Sequence, residues 1–210
     1  MTEVLARLAS SHGRNDELLN IALAKDIASK NDIAGVRELV ANFRNPSKDI
    51  QSDCVKVLYE VGALRPALIQ DYVGEFVELL KSRNNRLVWG AMTALGSIAH
   101  LKSAEIGRHA EAVMEATRTG SVITQDWGIR VLAEVSASGP AARARVFPFL
   151  LDFLGGCPGK DVPRHAESVR AAVDRQSKKE TLQVLEMRRL ELKPAQLQRL
   201  SKVIRKIESL

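Results

Sequence analysis

Two tryptophans, a carboxylate and a guanidinium are the side chains whose types and spacing could do chemistry here. Trp89 and Trp127 stand 38 positions apart, Asp126 precedes the second, and Arg130 follows it by about one helical turn. Indole faces attract a cation, stack on a nucleobase or anchor a peptide side chain, and a carboxylate beside them could stabilise developing positive charge. Tyr59, in DCVKVLYEVG, is a third large amphipathic ring of the kind that supplies binding area at limited entropic cost. The partner-binding candidates are therefore Tyr59, Trp89, Trp127 and Arg130. The plainer alternative is packing at the edge of a core, with Asp126 near the positively polarised start of its helix.

A second set of candidates is basic. The formal charge is +6. Residues 1–155 balance 18 Lys/Arg against 18 Asp/Glu, whereas residues 156–210 hold 13 against 7 and carry the whole excess. Arg188, Arg189, Lys193, Arg199, Lys202, Arg205 and Lys206 could face nucleic-acid phosphates, and Arg199, Lys202 and Lys206 recur at helical spacing. A solvated helical cap would display the same residues.

Other chemistry finds little support. There is no phosphate-binding glycine loop, dinucleotide fingerprint, HExxH, GxSxG or paired CxxC. The stretch GGCPGK reads as a turn. Cys54 falls at a small-residue core position, and Cys157 reads as a loop residue. His12, His100, His109 and His165 offer no metal-ligand pattern and are expected at helix ends or on the surface. No metal and no cofactor is expected. With no apolar run of about 18 residues and no basic-then-apolar leader, a cytoplasmic protein without membrane insertion is expected.

The elements that must position these residues repeat every 37 positions. Cys54, Leu58 and Val61 recur as Ala91, Leu95 and Ile98, then as Gly128, Leu132 and Val135, and more faintly as His165, Val169 and Ala172. Between them run Val36/Val73/Ala110/Phe147, Leu39/Phe76/Val113/Leu150, Val40/Val77/Met114/Leu151 and Phe43/Leu80/Thr117/Leu154, with Thr117 the one polar member. A helical hairpin too small to bury its own apolar face gains a core by stacking on copies of itself. The spacing predicts capping helices in residues 1–30: one over 2–12 and one capped by Asn15 or Asp16, with Leu18, Leu19, Ile21, Ala22 and Ala24 as its apolar face. Four repeats follow over 31–175, with helix pairs at 33–44/49–62, 67–82/85–100, 104–118/122–138 and 142–155/162–175. A basic helix pair or cap fills 176–210, starting at a Ser177/Glu180 capping box and ending in a helix over 194–208.

The segments DIQSDCVKVLYEVGAL, NRLVWGAMTALGSIA and TQDWGIRVLAEVSA resemble the second helix of HEAT repeats. The resemblance covers about residues 33–175 and implies an all-α, right-handed α–α superhelix of about five helix pairs. It also implies a non-catalytic scaffold binding a protein or peptide on its concave surface. A narrower resemblance is to the HEAT-like alkylpurine DNA glycosylases, in which tryptophans, an aspartate and an arginine line a DNA-contacting surface. It implies a nucleic-acid-binding alternative with Asp126 as the catalytic candidate.

Overall fold

Helix starts keep the repeat register, and they do so through caps. The computed structural model describes residues 3–14 and 16–210. Ser47, Asn84 and Ser121 stand 37 residues apart, and each precedes a helix. Ser47 Oγ accepts from the Ile50 N–H at 3.4 Å, Asn84 Oδ1 from Arg86 at 3.0 Å, and Ser121 Oγ from Thr124 at 3.4 Å. Each satisfies an N–H that has no partner within its helix.

The helices are α1 (Leu18–Lys30), α2 (Ile33–Ala41), α3 (Lys48–Leu64), α4 (Val73–Leu79), α5 (Asn85–Arg108), α6 (Ala110–Thr119), α7 (Val122–Ala137), α8 (Pro140–Gly156), α9 (Val162–Val169), α10 (Lys178–Arg189) and α11 (Pro194–Glu208). The fold is all-α, with no strand among the described residues, and no helix among them is long and apolar enough to cross a membrane.

Several expected helices are differently cut. In place of the helix expected over 2–12, the described residues form two 3-10 turns, Leu5–Arg7 and Ser10–His12, the second closed by Gly13 in the left-handed region at φ 63°. Thr2 and the proposed cap Asn15 lie outside the described residues, while Asp16 Oδ1 does accept from Leu18 N–H at 3.1 Å. The segment 67–82 begins with 3-10 turns at Pro66–Leu68 and Gln70–Tyr72, because Arg65, extended before a proline, stops α3 and α4 starts only at Val73. Helix α5 runs on to Arg108 through one non-helical residue, Lys102 (φ −126°, ψ 25°). Helix α9 ends at Val169 and tightens into a 3-10 turn. Helix α10 starts where the capping-box spacing places it, but Ser177 Oγ serves the Asp174 N–H at 3.0 Å instead of the helix.

The chain packs as two compact units, Met1–Lys102 and Ser103–Leu210. In the first, α3 packs against α1 and α2, and Leu39, Leu58, Phe76, Met92, Leu95 and Ile98 are fully buried. The buried face of α1 is Asn20, Leu23, Ala24, Ile27 and Ala28, whereas Leu18 is 66% exposed. Hydrogen bonds bring Asn20 inside: its Oδ1 accepts from Ala9 N–H, and its Nδ2 donates to Asp53 Oδ1 at 2.7 Å. Asp53 Oδ2 in turn accepts from Ser10 N–H at 2.8 Å, latching the N-terminal turns to α3.

In the second unit α7 is central, touching α6, α8 and α9. Thr117 breaks the apolar series for a local reason. It is fully buried with its Oγ1 donating to Val113 O, and it fills the space that a Cβ on Gly128 would need.

Leu95 and Leu132 are both fully buried. Replacing either by Ala lowers unfolding stability by about 2–5 kcal/mol, measured by urea denaturation.

Candidate functional site

The first unit contains a pocket of about 230 Å³ that gathers Tyr59 and Trp89. Helical periodicity builds it. Asp49, Ser52, Asp53, Lys56 and Tyr59 follow one another down a face of α3, and Arg86 and Trp89 are one turn apart on α5. Asp49 and Arg86 are equivalent positions one repeat apart, as are Ser52 and Trp89. The pocket is thus lined by the same face of two successive inner helices. Arg14, Asp16, Glu17 and Asn20 complete it from the N-terminal turns and α1.

Its rings are fixed by charge as well as packing. Tyr59 and Trp89 lie 5.6 Å apart between centroids at 53°, and Lys56 Nζ sits 4.7 Å from the centre of the Tyr59 ring. The nearly buried Lys56 ammonium contacts Glu17 Oε2 and Glu60 Oε1, both at 2.8 Å. Burial works to lower its pKa, but hydrogen bonds to the two glutamates outweigh burial and hold it above the ordinary lysine value. Burial raises the Tyr59 phenol against the opposing Lys56 charge. The lining sets four carboxylates, Asp16, Glu17, Asp49 and Asp53, against three cations, Arg14, Lys56 and Arg86, which leaves a small negative excess. Of these, Asp49 is exposed and makes no ion pair among the described residues.

Trp127 and Arg130 belong to the second unit, where the guanidinium lies 5.1 Å from the indole centre. Trp127 is half-buried and Arg130 exposed, so this pair presents a cation-capped ring. Asp126 faces inward. Its Oδ2 pairs with Arg164 Nη1 at 2.8 Å, and its Oδ1 lies 3.7 Å from His165 Nε2. Burial raises the Asp126 carboxyl, Arg164 opposes and Asp161 adds to the rise. His165 is only 2% exposed, with its ring edge-on to Phe153 at 5.2 Å, contrary to the expectation of a surface or helix-end histidine. Burial and the adjacent Arg164 charge push its pKa down to about 4, so the imidazole is neutral. The cavity near α7 and α8 is lined by Gln125, Phe149 and Phe153 and does not include Asp126, Arg164 or His165.

The basic C-terminal candidates divide. Arg188 is 7% exposed and donates to Leu154 O and Cys157 O, both at 2.6 Å, satisfying carbonyls at the end of α8. That burial removes it from any phosphate-facing surface. Arg189 pairs with Glu186, and Arg199 Nε donates to Glu167 at 2.7 Å. Lys193, Lys202, Arg205 and Lys206 remain exposed. Cys157 is buried, its Sγ 3.8 Å from Leu154 O, and Cys54 is fully buried, with burial pushing its thiol up to about 12.

Lys56, Asp53 and Arg164 were not singled out from the sequence. The spacing of Asp53, Lys56 and Tyr59 marks one face of α3, but nothing in it marks Glu17 and Asn20 as partners from another helix.

No family model matches the sequence, and no curated protein matches it. Solved structures do match. An engineered protein is 17% identical, with 100% of this chain and 98% of that chain covered and a TM-score of 0.65. A designed armadillo repeat protein in complex with the peptide (KR)4 is 11% identical over 97% of this chain and 100% of that chain, with a TM-score of 0.63. Kap121p bound to Pho4p is 12% identical over 95% of this chain and 22% of that chain, with a TM-score of 0.65. At such identities it is the fold that is shared, and that fold is the HEAT/armadillo-like α-solenoid.

The buried neutral His165 makes a pH signature. Its pKa is about 4 in the folded protein against 6.5 unperturbed. Folded stability is therefore fully retained above pH 6.5 and falls toward pH 4, as the unfolded chain takes up a proton that the folded one refuses. The His165 contribution to the slope approaches about 1.4 kcal/mol per pH unit. Urea denaturation between pH 7.5 and 4.5 should show this slope and lose most of it in His165→Gln.

Proposed function

We propose that this chain is a repeat module that binds a segment of another protein. The Tyr59–Trp89 pocket of the first unit takes a cationic side chain of that segment. The observation that carries this reading is the juxtaposition of an inclined ring pair with a carboxylate-rich wall, in which Asp49 is left without an internal partner. A Lys or Arg entering the pocket finds both the Trp89 ring and the Asp49 carboxylate in its lining, and both interactions strengthen as water is displaced. The surrounding ion pairs hold the rings in place before binding, which limits the ordering cost.

The comparisons support the reading without supplying it. The designed armadillo protein is seen with a peptide of alternating Lys and Arg, and Kap121p with a protein. On the second unit, Trp127 with Arg130 is a further contact of the aromatic–cation type that recurs in binding hot spots.

A fluorescein-labelled (Lys-Arg)4 peptide tests the pocket by anisotropy. Trp89→Ala is expected to weaken binding at least tenfold, a loss of about 1.4 kcal/mol or more, and Asp49→Asn to weaken it severalfold. Equal affinity of the wild type and Trp89→Ala would sink the assignment.

A further inference from the structure

Beside the acidic pocket, the first unit has a second and larger cavity, about 680 Å³, at the turns that lead into α3 and α5. The two turns are repeat-equivalent: Asn45 corresponds to Ser82, and Ser47 to Asn84. Arg44, Lys48 and Arg83 line the cavity, all three are exposed, and none makes an ion pair among the described residues. No carboxylate lines it.

Hydrogen bonding within the turns also engages three of the side-chain acceptors. Asn45 Oδ1 accepts from Ser47 N–H at 2.9 Å, Ser82 Oγ from Asn84 N–H at 3.1 Å, and Asn84 Oδ1 from Arg86 N–H at 3.0 Å. With the oxygens of Asn45, Ser82 and Asn84 turned to the backbone, the charged groups the cavity shows are one ammonium and two guanidinium groups, beside the neutral amides of Gln51 and Asn85. Such a surface is complementary to a compact, multiply charged anion.

The neighbouring pocket decides what kind of anion. Lys48 lines the basic cavity and Asp49, the next residue of α3, lines the acidic one. Asn85 and Arg86 divide between the cavities in the same way on α5. A nucleic-acid strand leaving the basic cavity along these helices would carry its phosphates onto Asp49 and Asp53. The basic cavity also has no aromatic side chain on which a base could stack. A protein segment can instead place one anionic group beside one cationic group.

We infer that the cavity formed by Arg44, Lys48 and Arg83 binds the phosphate of a phosphorylated serine or threonine on the docking segment. Assigning the phosphate to a protein segment rests on the function proposed above. Phosphorylation adds close to two charges and three acceptor oxygens, which matches three free cations better than a carboxylate does. The phosphate would then place the adjoining cationic residue at Trp89 and Asp49, so that recognition requires both charges in order.

The test titrates 15N-labelled protein with N-acetyl-O-phosphoserine amide, with N-acetylserine amide as control and the Arg44→Glu/Arg83→Glu variant beside the wild type. Saturable shifts are expected at the Lys48, Asn84 and Asn85 amides with the phosphorylated probe alone, and at least a tenfold weaker response in the variant. Both substitutions lie on exposed, unpaired side chains, and an unchanged thermal midpoint verifies that the variant is folded. Absence of saturable shifts at these amides, or equal shifts in the variant, overturns the inference. A short DNA duplex binding at the same amides more tightly than the phosphorylated probe also overturns it. In the wild type, absence of a phosphoserine response alongside (Lys-Arg)4 binding refutes this site alone, whereas absence of (Lys-Arg)4 binding alongside a phosphoserine response refutes the acidic pocket alone.

Discussion

A helical hairpin of this length has more apolar surface than it can cover by itself. Within each unit an inner helix buries its stripe against more than one neighbour, as α3 does against α1 and α2 and α7 against α6, α8 and α9. Leu39, Phe76, Val113 and Leu150 are all fully buried, as are Leu58, Leu95 and Leu132. The rest of the structure depends on that stacking. Where a member of a series is not apolar, a neighbour has changed with it, as Thr117 and Gly128 do together.

Stacking determines which surface is left over for function. Once one face of each inner helix is committed to the core, the residues about one turn to the side come to lie in line from repeat to repeat. Asp49 and Ser52 on α3 therefore meet Arg86 and Trp89 on α5. The capping turns come into line too, and there the backbone consumes the oxygen atoms of Asn45, Ser82 and Asn84. Two adjoining cavities of different character result from one repeat geometry: carboxylates outnumber cations in the lining of the first, and the second is lined by Arg44, Lys48 and Arg83 without a carboxylate.

The second unit spends much of its charge internally. Arg188 holds the carbonyls that end α8, Arg164 bridges Asp126 and Asp161, and Arg199 joins α11 to Glu167 of α9. A buried guanidinium with several donors can close a helix end and neutralise a carboxylate at once, which a lysine does less well. The +6 balance of the chain is thus a poor guide to its surface. The neutral imidazole of His165 belongs to the same polar interior, wedged between Phe153 and Asp126.

The sequence by itself determined the all-helical class, the 37-residue register and most of the core, because burial of a stripe leaves a periodic trace in residue type. It also marked Tyr59 and Trp89, since large amphipathic rings are few in this chain. It did not determine the local backbone of 66–72 or the N-terminal turns, where a proline and short segments tip the balance from α-helix to 3-10 turns. Nor could it tell Arg188 from Lys202. Both stand in basic helices of similar composition, and only the end of α8, brought close by packing, makes one a buried brace and leaves the other in solvent. The pairing of Lys56 with Glu17, of Asn20 with Asp53 and of Asp126 with Arg164 was likewise decided by tertiary structure. A side chain's charge is written in its own residue, but its partner belongs to another helix, and one-dimensional periodicity holds no record of that distance.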